Sequence, residues 1–178
     1  MPAPTETLAA FAALLDYPGQ VTLAEIEQLA RTIQAAVPDA RADLDSFVAF
    51  VRAYSPPELE EIYTSTFDGN AECALEVGWH LYGEAYQRGV FLVQMRDRLR
   101  RLGIEESTEL PDHLTHVLRA LARLDGAEHD RLARIAVMPA VAKMRDGLQA
   151  RSSAYQALLQ ALLVTLEQAT SVSVGGSS

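Results

Sequence analysis

Apolar residues along this chain recur every three to four positions, and the strict alternation of a half-buried strand is almost absent. Leu8, Phe11, Ala12 and Leu15 share one face and predict a helix over Thr7–Leu15, stopped by Asp16-Tyr17-Pro18-Gly19. A second helix begins at Thr22, where Thr22 and Glu25 form a capping box ahead of the stripe Leu23, Ile26, Leu29, Ala30 and Ile33, and Pro38 ends it. Leu44, Phe47, Val48 and Val51 predict a third, from Asp39 to Tyr54. Ser55 caps a fourth, with Pro56 at its first position, Glu58 completing a second capping box, and Leu59, Ile62, Tyr63 and Phe67 facing inward.

The pattern next predicts the longest helix, Ala71 to Leu102, ended by Gly103. Two apolar stripes run along it, Ala74-Val77-Leu81-Ala85-Leu92-Met95-Leu99 and Leu75-Trp79-Tyr82-Tyr86-Val93, which predicts a central position in the bundle. Gly78, Gly83 and Gly89 fall inside it and imply close packing or a bend. A sixth helix is expected from Pro111 to Asp125, and a seventh from Ala127 to Arg151 that Pro139 kinks or splits. An eighth begins at Ser153 and buries Tyr155, Leu158, Leu159, Leu162, Leu163 and Leu166. The expectation is an all-α, single-domain bundle of about eight helices over residues 1–170, with a frayed, flexible tail over 171–178.

Composition narrows the function. The 178 residues are 49% hydrophobic and 22% charged, too apolar for a disordered chain and the right size for one core. A single cysteine, Cys73, excludes an intrachain disulfide framework. No apolar run reaches membrane-spanning length, and Met1 to Glu6 lacks the basic start and apolar core of a secretory signal, so the expected compartment is the cytoplasm. The formal net charge of −9 repels nucleic-acid phosphates and suits a cationic partner.

Few residues arrange themselves for chemistry. Glu72, Glu76, His80 and Glu84 are spaced by four along one helix face, and His113 and His116 lie three apart on the next helix. Such groups are metal ligands, yet neither Glu-x-x-His nor His-Glu-x-x-His occurs, and a solvated charged face accounts for the same spacing. Cys73 is flanked by Glu72 and Glu76, which favour the thiol over the reactive thiolate. There is no phosphate loop, dinucleotide fingerprint or nucleophile elbow. Arg96, Arg98, Arg100 and Arg101 complement a helix C-terminus and the nearby Glu105, Glu106 and Glu109. Two segments remain: Asp112-His113 at a helix start, and His80 with Glu84 around Gly83.

These segments belong to an ordered set. Tyr63-Thr-Ser-Thr-Phe67-Asp68, then His80-x-x-Gly83-Glu84-x-x-x-Arg88-Gly89, then Glu109-Leu110-Pro111-Asp112-His113-Leu114 follow one another. Together they resemble the redox-enzyme maturation chaperones of the TorD/DmsD/NarJ family, most closely the NarJ branch that serves respiratory nitrate reductase. The resemblance covers Leu59 to Leu124; the Met138-Pro139 pair and the Val/Gly/Ser tail depart from it. It implies a cytoplasmic, non-enzymatic, all-helical chaperone. Such a protein binds the N-terminal segment of a molybdenum-enzyme catalytic subunit while molybdenum cofactor is inserted, before membrane docking or export. The implied peptide-binding residues are Tyr63, Phe67, His80, Gly83, Glu84, Asp112 and His113. The implied partners are that client segment and molybdenum cofactor delivery proteins, with no nucleic acid, no stable membrane insertion and no cofactor of the chain's own. Two other readings stand beside it: a helical metal-binding or sensor protein using His80, His113, His116 and neighbouring carboxylates, and a purely structural helical adaptor.

Overall fold

A computed structural model describes residues 4–149, 151 and 153–174. Its secondary structure there is helical throughout, apart from one isolated β-bridge. The helices are α1 (Pro4–Leu14), α2 (Leu23–Ala36), α3 (Arg41–Arg52), α4 (Pro56–Phe67), α5 (Val77–Tyr82), α6 (Tyr86–Arg101), α7 (Leu114–Arg123), α8 (Gly126–Arg131), α9 (Met138–Gln149) and α10 (Tyr155–Val174). Both sequence-predicted capping boxes form. Thr22 and Glu25 exchange hydrogen bonds at the start of α2, and Ser55 and Glu58 do so at the start of α4.

α1 packs along α7, α10 lies against α9 and α3, and α2 bridges α1 and α3. The centre of the bundle is α7, where every residue from Pro111 to Leu118 is buried. One end of the core is aromatic. The Tyr63 ring lies 4.9 Å from that of Phe67, 5.6 Å from Tyr17 and 5.9 Å from Tyr155, mostly edge to face.

Three expectations need correction. The long helix over Ala71–Leu102 does not form. Residues 68–76 lead into the short α5, and the chain turns at Gly83 before α6 begins. Gly83 has φ +56° and ψ −129°, a conformation closed to side-chain-bearing residues, so its amide ends α5 on Trp79 while the backbone reverses. The break also rotates the second half. Phe91, Met95 and Leu99 point inward, whereas Tyr86 and Val93 from the expected buried stripe stand in solvent.

The helix expected from Pro111 starts instead at Leu114, because His113 caps it. The helix expected over Ala127–Arg151 is divided just before Pro139, as anticipated, into α8, a π-helical stretch over Leu132–Val137 and α9. Proline lacks the amide that would continue the ladder, and the chain accommodates it by widening into a π-turn over Leu132–Val137, with the Met138 amide reaching back to Ala133. The last helix continues through Val174, past the expected end at 170; residues 175–178 of the anticipated tail lie outside the described residues.

Candidate functional site

The loop before α5 and the loop before α7 are clasped together. The Val77 amide donates to the Asp112 carbonyl and the Leu114 amide to the Leu75 carbonyl, both at 2.8 Å, which sets Glu76 opposite His113 in a single antiparallel bridge. This clasp carries the Asp112 side chain beneath the first turn of α5, where Oδ2 accepts the Gly78 amide at 3.0 Å. Glycine is required at 78. A methyl group there would fall 2.7 Å from Asp112 Oδ2 and 2.9 Å from the Phe91 ring.

Asp112 is fully buried, the one carboxylate so placed among the described residues. Arg88, in the first turn of α6, brings its Nε to 3.7 Å from Oδ2, an ion-pair distance too long for a hydrogen bond. Neither Arg88 Nε nor Asp112 Oδ1 has a hydrogen-bond partner among the described residues. The guanidinium instead lies over the Trp79 ring, 5.6 Å from its centroid, and Trp79 is tied by Nε1 to the Ala71 carbonyl at 2.8 Å. Burial raises the Asp112 pKa above the usual carboxylate range, with the Arg88 charge working against that rise. A donor and an acceptor, both desolvated and both unmet, therefore lie at the α5–α6–α7 junction.

The histidines are committed elsewhere. His113 Nδ1 accepts the Thr115 amide at 3.3 Å as the cap of α7, which leaves the neutral ring's proton on Nε2. Burial, aided by the neighbouring His116, lowers its pKa to about 4. His116 straps down the preceding loop, its Nε2 accepting the Ser107 amide at 3.0 Å and its Nδ1 donating to the Leu110 carbonyl at 2.8 Å. His80 donates from Nε2 to the Ala74 carbonyl at 2.6 Å, and its own carbonyl accepts from Lys143 at 2.8 Å. Burial lowers its pKa as well. These bonds engage both ring nitrogens of His116 and one each of His80 and His113, and among the described residues no three His, Cys, Asp or Glu side chains converge as a metal site. Cys73 is buried, and burial raises its thiol pKa.

Of the seven residues implied by the resemblance, Asp112 and His113 meet at the clasp, and His80 lies on α5, which the clasp holds at its start. Gly83 and the exposed Glu84 form the α5–α6 turn. Tyr63 and Phe67 stand apart from this group, buried in the aromatic end of the core, with the Tyr63 hydroxyl donating to the Leu15 carbonyl at 2.9 Å. Two residues at the junction escaped the sequence reading as site residues, Arg88 and Trp79. Arg88 sits inside the second motif, and that position was the one available signal.

Carboxylates gather on the clasp's outer side. Glu109 is pushed up in pKa first by burial and then by Glu76, Asp68 and Asp16, so these four acids share one neighbourhood. Among the described residues only the Asp16 carboxylate is answered there, by Arg119 at 2.8 Å. The exposed Tyr17 and Leu110 flank them along the chain. This surface is negative, partly apolar, and adjacent to the unmet Asp112–Arg88 pair.

Comparison with known proteins places this arrangement. The family model described as the nitrate reductase delta subunit matches residues 9–166. The chain is 30% identical over 155 residues to the nitrate reductase molybdenum cofactor assembly chaperone NarJ of Escherichia coli (strain K12), covering 84% of this chain and 65% of that protein. It is 29% identical over 163 residues to the probable nitrate reductase molybdenum cofactor assembly chaperone NarJ of Bacillus subtilis (strain 168), covering 90% of this chain and 88% of that one. The chain thus spans a little under two thirds of the Escherichia coli relative. With the match running from α1 into α10 and taking in the clasp and its buried aspartate, the chain belongs to the nitrate reductase delta subunit family.

Proposed function

We propose that this protein is a cytoplasmic, non-enzymatic assembly chaperone for a molybdenum-containing oxidoreductase, respiratory nitrate reductase or a close relative. It binds the N-terminal segment of the catalytic subunit and holds the apoenzyme open to molybdenum cofactor delivery proteins before membrane docking or export. The roles of the relatives support the chaperone assignment. No helix among the described residues is long and apolar enough to cross a membrane.

The observation that carries the peptide-binding reading is the unmet pair at the junction. Burying Asp112 Oδ1 and Arg88 Nε without partners costs free energy that a ligand bringing one donor and one acceptor recovers. A peptide backbone or an amide side chain brings both. The acids around Glu109 suit basic residues on the same segment. An amphipathic client helix of about 15–30 residues places its anchors at i, i+3, i+4 and i+7. Charge-assisted contacts to buried carboxylate contribute about 1.5–3 kcal/mol each, and those at the exposed rim, including Glu84, contribute much less.

Titration calorimetry with the cognate N-terminal peptide tests this. Wild type should bind, folded Asp112→Asn and Arg88→Gln variants should bind more weakly, and Glu84→Ala should lose little. Unchanged affinity in folded Asp112 and Arg88 variants would remove the junction from the site.

A further inference from the structure

The Arg88–Asp112 pair stands open, although the chemistry of the two groups favours closing it. A guanidinium beside a buried carboxylate closes to charge-assisted hydrogen bonds of about 2.7–2.9 Å, frequently two of them. Here Nε stops 3.7 Å from Oδ2, and Oδ1 has no partner among the described residues. The Arg88 stem is not what stops it. The stem crosses the first turn of α5, with Cγ 3.4 Å from where a Cβ on Gly78 would stand, so a short rotation of the outer side-chain bonds carries the head to the carboxylate. The head instead meets the Trp79 ring, 5.6 Å from its centroid. That ring is fixed twice: by its backbone, next to the Gly78 amide that Asp112 accepts, and by Nε1, which donates to the Ala71 carbonyl at 2.8 Å.

We infer that Trp79 is a positioning residue, whose ring holds the Arg88 guanidinium off Asp112 and so keeps the pair open for the client. The use to which the open pair is put rests on the client-binding reading above. Two attractions compete for one cation. The carboxylate offers the stronger in a desolvated setting, but Oδ2 already accepts the Gly78 amide and only Oδ1 is free to receive another donor. The indole face offers a weaker attraction that acts over a plane and needs no directed N–H. Held over the ring, Arg88 leaves Oδ1 and Nε desolvated and unmet. Closed on Asp112, it would satisfy both from within the chain, and a ligand would have nothing there to recover. The Nε1 bond to Ala71 keeps the ring in place beneath the cation.

Carbon-13 NMR of the full chain with labelled aspartate carboxyls tests this, the Asp112 signal being assigned by its loss in Asp112→Asn. Asp112 is faced by Arg88 from α6, Glu76 from the loop before α5 and the Gly78 amide, and of these Arg88 is the one whose charge lies over the Trp79 ring. In Trp79→Leu the guanidinium should close on the carboxylate and lower its titration midpoint by at least about one pH unit, a tenfold loss of proton affinity. Trp79→Phe keeps a ring face beneath the cation and should hold the midpoint nearer to wild type than to Trp79→Leu. In an Arg88→Gln background Trp79→Leu should leave the midpoint unmoved. A fall that persists there comes from water entering the gap and overturns the inference, as does the absence of any fall in Trp79→Leu alone. Trp79→Met fills the space without a ring face and replaces Trp79→Leu if that variant does not fold. In titration calorimetry with the N-terminal peptide of the cognate catalytic subunit, Trp79→Leu should bind at least about fivefold more weakly. Affinity that falls in Asp112→Asn and Arg88→Gln but not in Trp79→Leu keeps the client reading and overturns this inference. Affinity unchanged in all three overturns both.

Discussion

The amide of Gly78 and the carboxylate of Asp112 meet at 3.0 Å across 34 positions of sequence, with the ring of Phe91 closing the third side. Three consecutive elements, α5, α6 and α7, thereby share one contact. Its tightness makes it fragile. In Gly78→Ala the new methyl, under 3 Å from both an aspartate oxygen and an aromatic carbon, must displace one of them. The expected loss is about 1–3 kcal/mol of unfolding free energy, read from urea denaturation, because overpacked sites relax only partly. Client affinity should fall with it, since moving Asp112 opens the clasp.

Asp112→Asn separates stability from function. The wild-type pKa is raised on folding, so the folded state holds its proton more tightly than the unfolded chain does. Stability from this group is therefore greatest at acid pH and declines as pH rises through the raised folded value. Asparagine keeps an acceptor for Gly78 and carries no buried charge. The variant should be no less stable than wild type at neutral pH, measured by thermal melts, and its advantage should shrink toward acid pH, while peptide binding weakens. A variant markedly less stable at neutral pH would mean that Arg88 outweighs the burial.

Much of the framework was legible because local rules and tertiary packing agreed. The Thr22/Glu25 and Ser55/Glu58 boxes begin α2 and α4, and the stripes of α3 and α10 face inward as their periodicity requires, as do Ile26, Ala30 and Ile33 of α2, whose first stripe residue, Leu23, is exposed. The region after Phe67 was not legible, and for a definite reason. An apolar residue at nearly every third position from Leu75 to Leu99 reads as one helix with two stripes. Gly83 adopts φ +56° and divides that pattern into two helices of different orientation, so the second stripe faces solvent after the turn. Periodicity says which residues share a face but not where a glycine reverses the chain. In the same way the sequence marked Asp112 and His113 as a helix start but could not show that one is a buried carboxylate and the other the cap itself. Arg88 and Trp79 enter the junction only through tertiary folding.

His113 should make the fold acid-sensitive. Its pKa falls from the unfolded value of 6.5 to about 4 on folding, through burial and the adjacent His116. Between those values the unfolded chain binds the extra proton and the folded chain does not. Its contribution is present in full above pH 6.5 and is lost as pH falls toward 4, on the order of 3 kcal/mol in all. Protonation also removes the lone pair that caps α7. Unfolding free energy should drop across this window, and His113→Asn, which keeps a capping oxygen, should flatten the drop. An equally steep dependence in His113→Asn would assign it to other groups.

Tyr63 and Phe67 carry the first motif of the resemblance, yet their rings lie in the aromatic end of the core. The Tyr63 hydroxyl bonds the Leu15 carbonyl, at the point where α1 has ended and the chain turns toward Tyr17. Tyr63→Phe removes that bond and keeps the ring packing, so it should cost about 1 kcal/mol. Phe67→Ala empties space against Tyr63 and Tyr155, both within 4.9 Å between ring centroids, and should cost about 3–5 kcal/mol. If the pair acts only through the core, Tyr63→Phe, which stays folded, should bind the client peptide with wild-type affinity. Phe67→Ala should regain its affinity when cooled well below its lowered melting temperature. A Tyr63→Phe protein of nearly wild-type stability that bound the peptide several-fold more weakly would place the hydroxyl in contact with the client. It would also mean that the Leu15 carbonyl gives up this bond when the peptide docks.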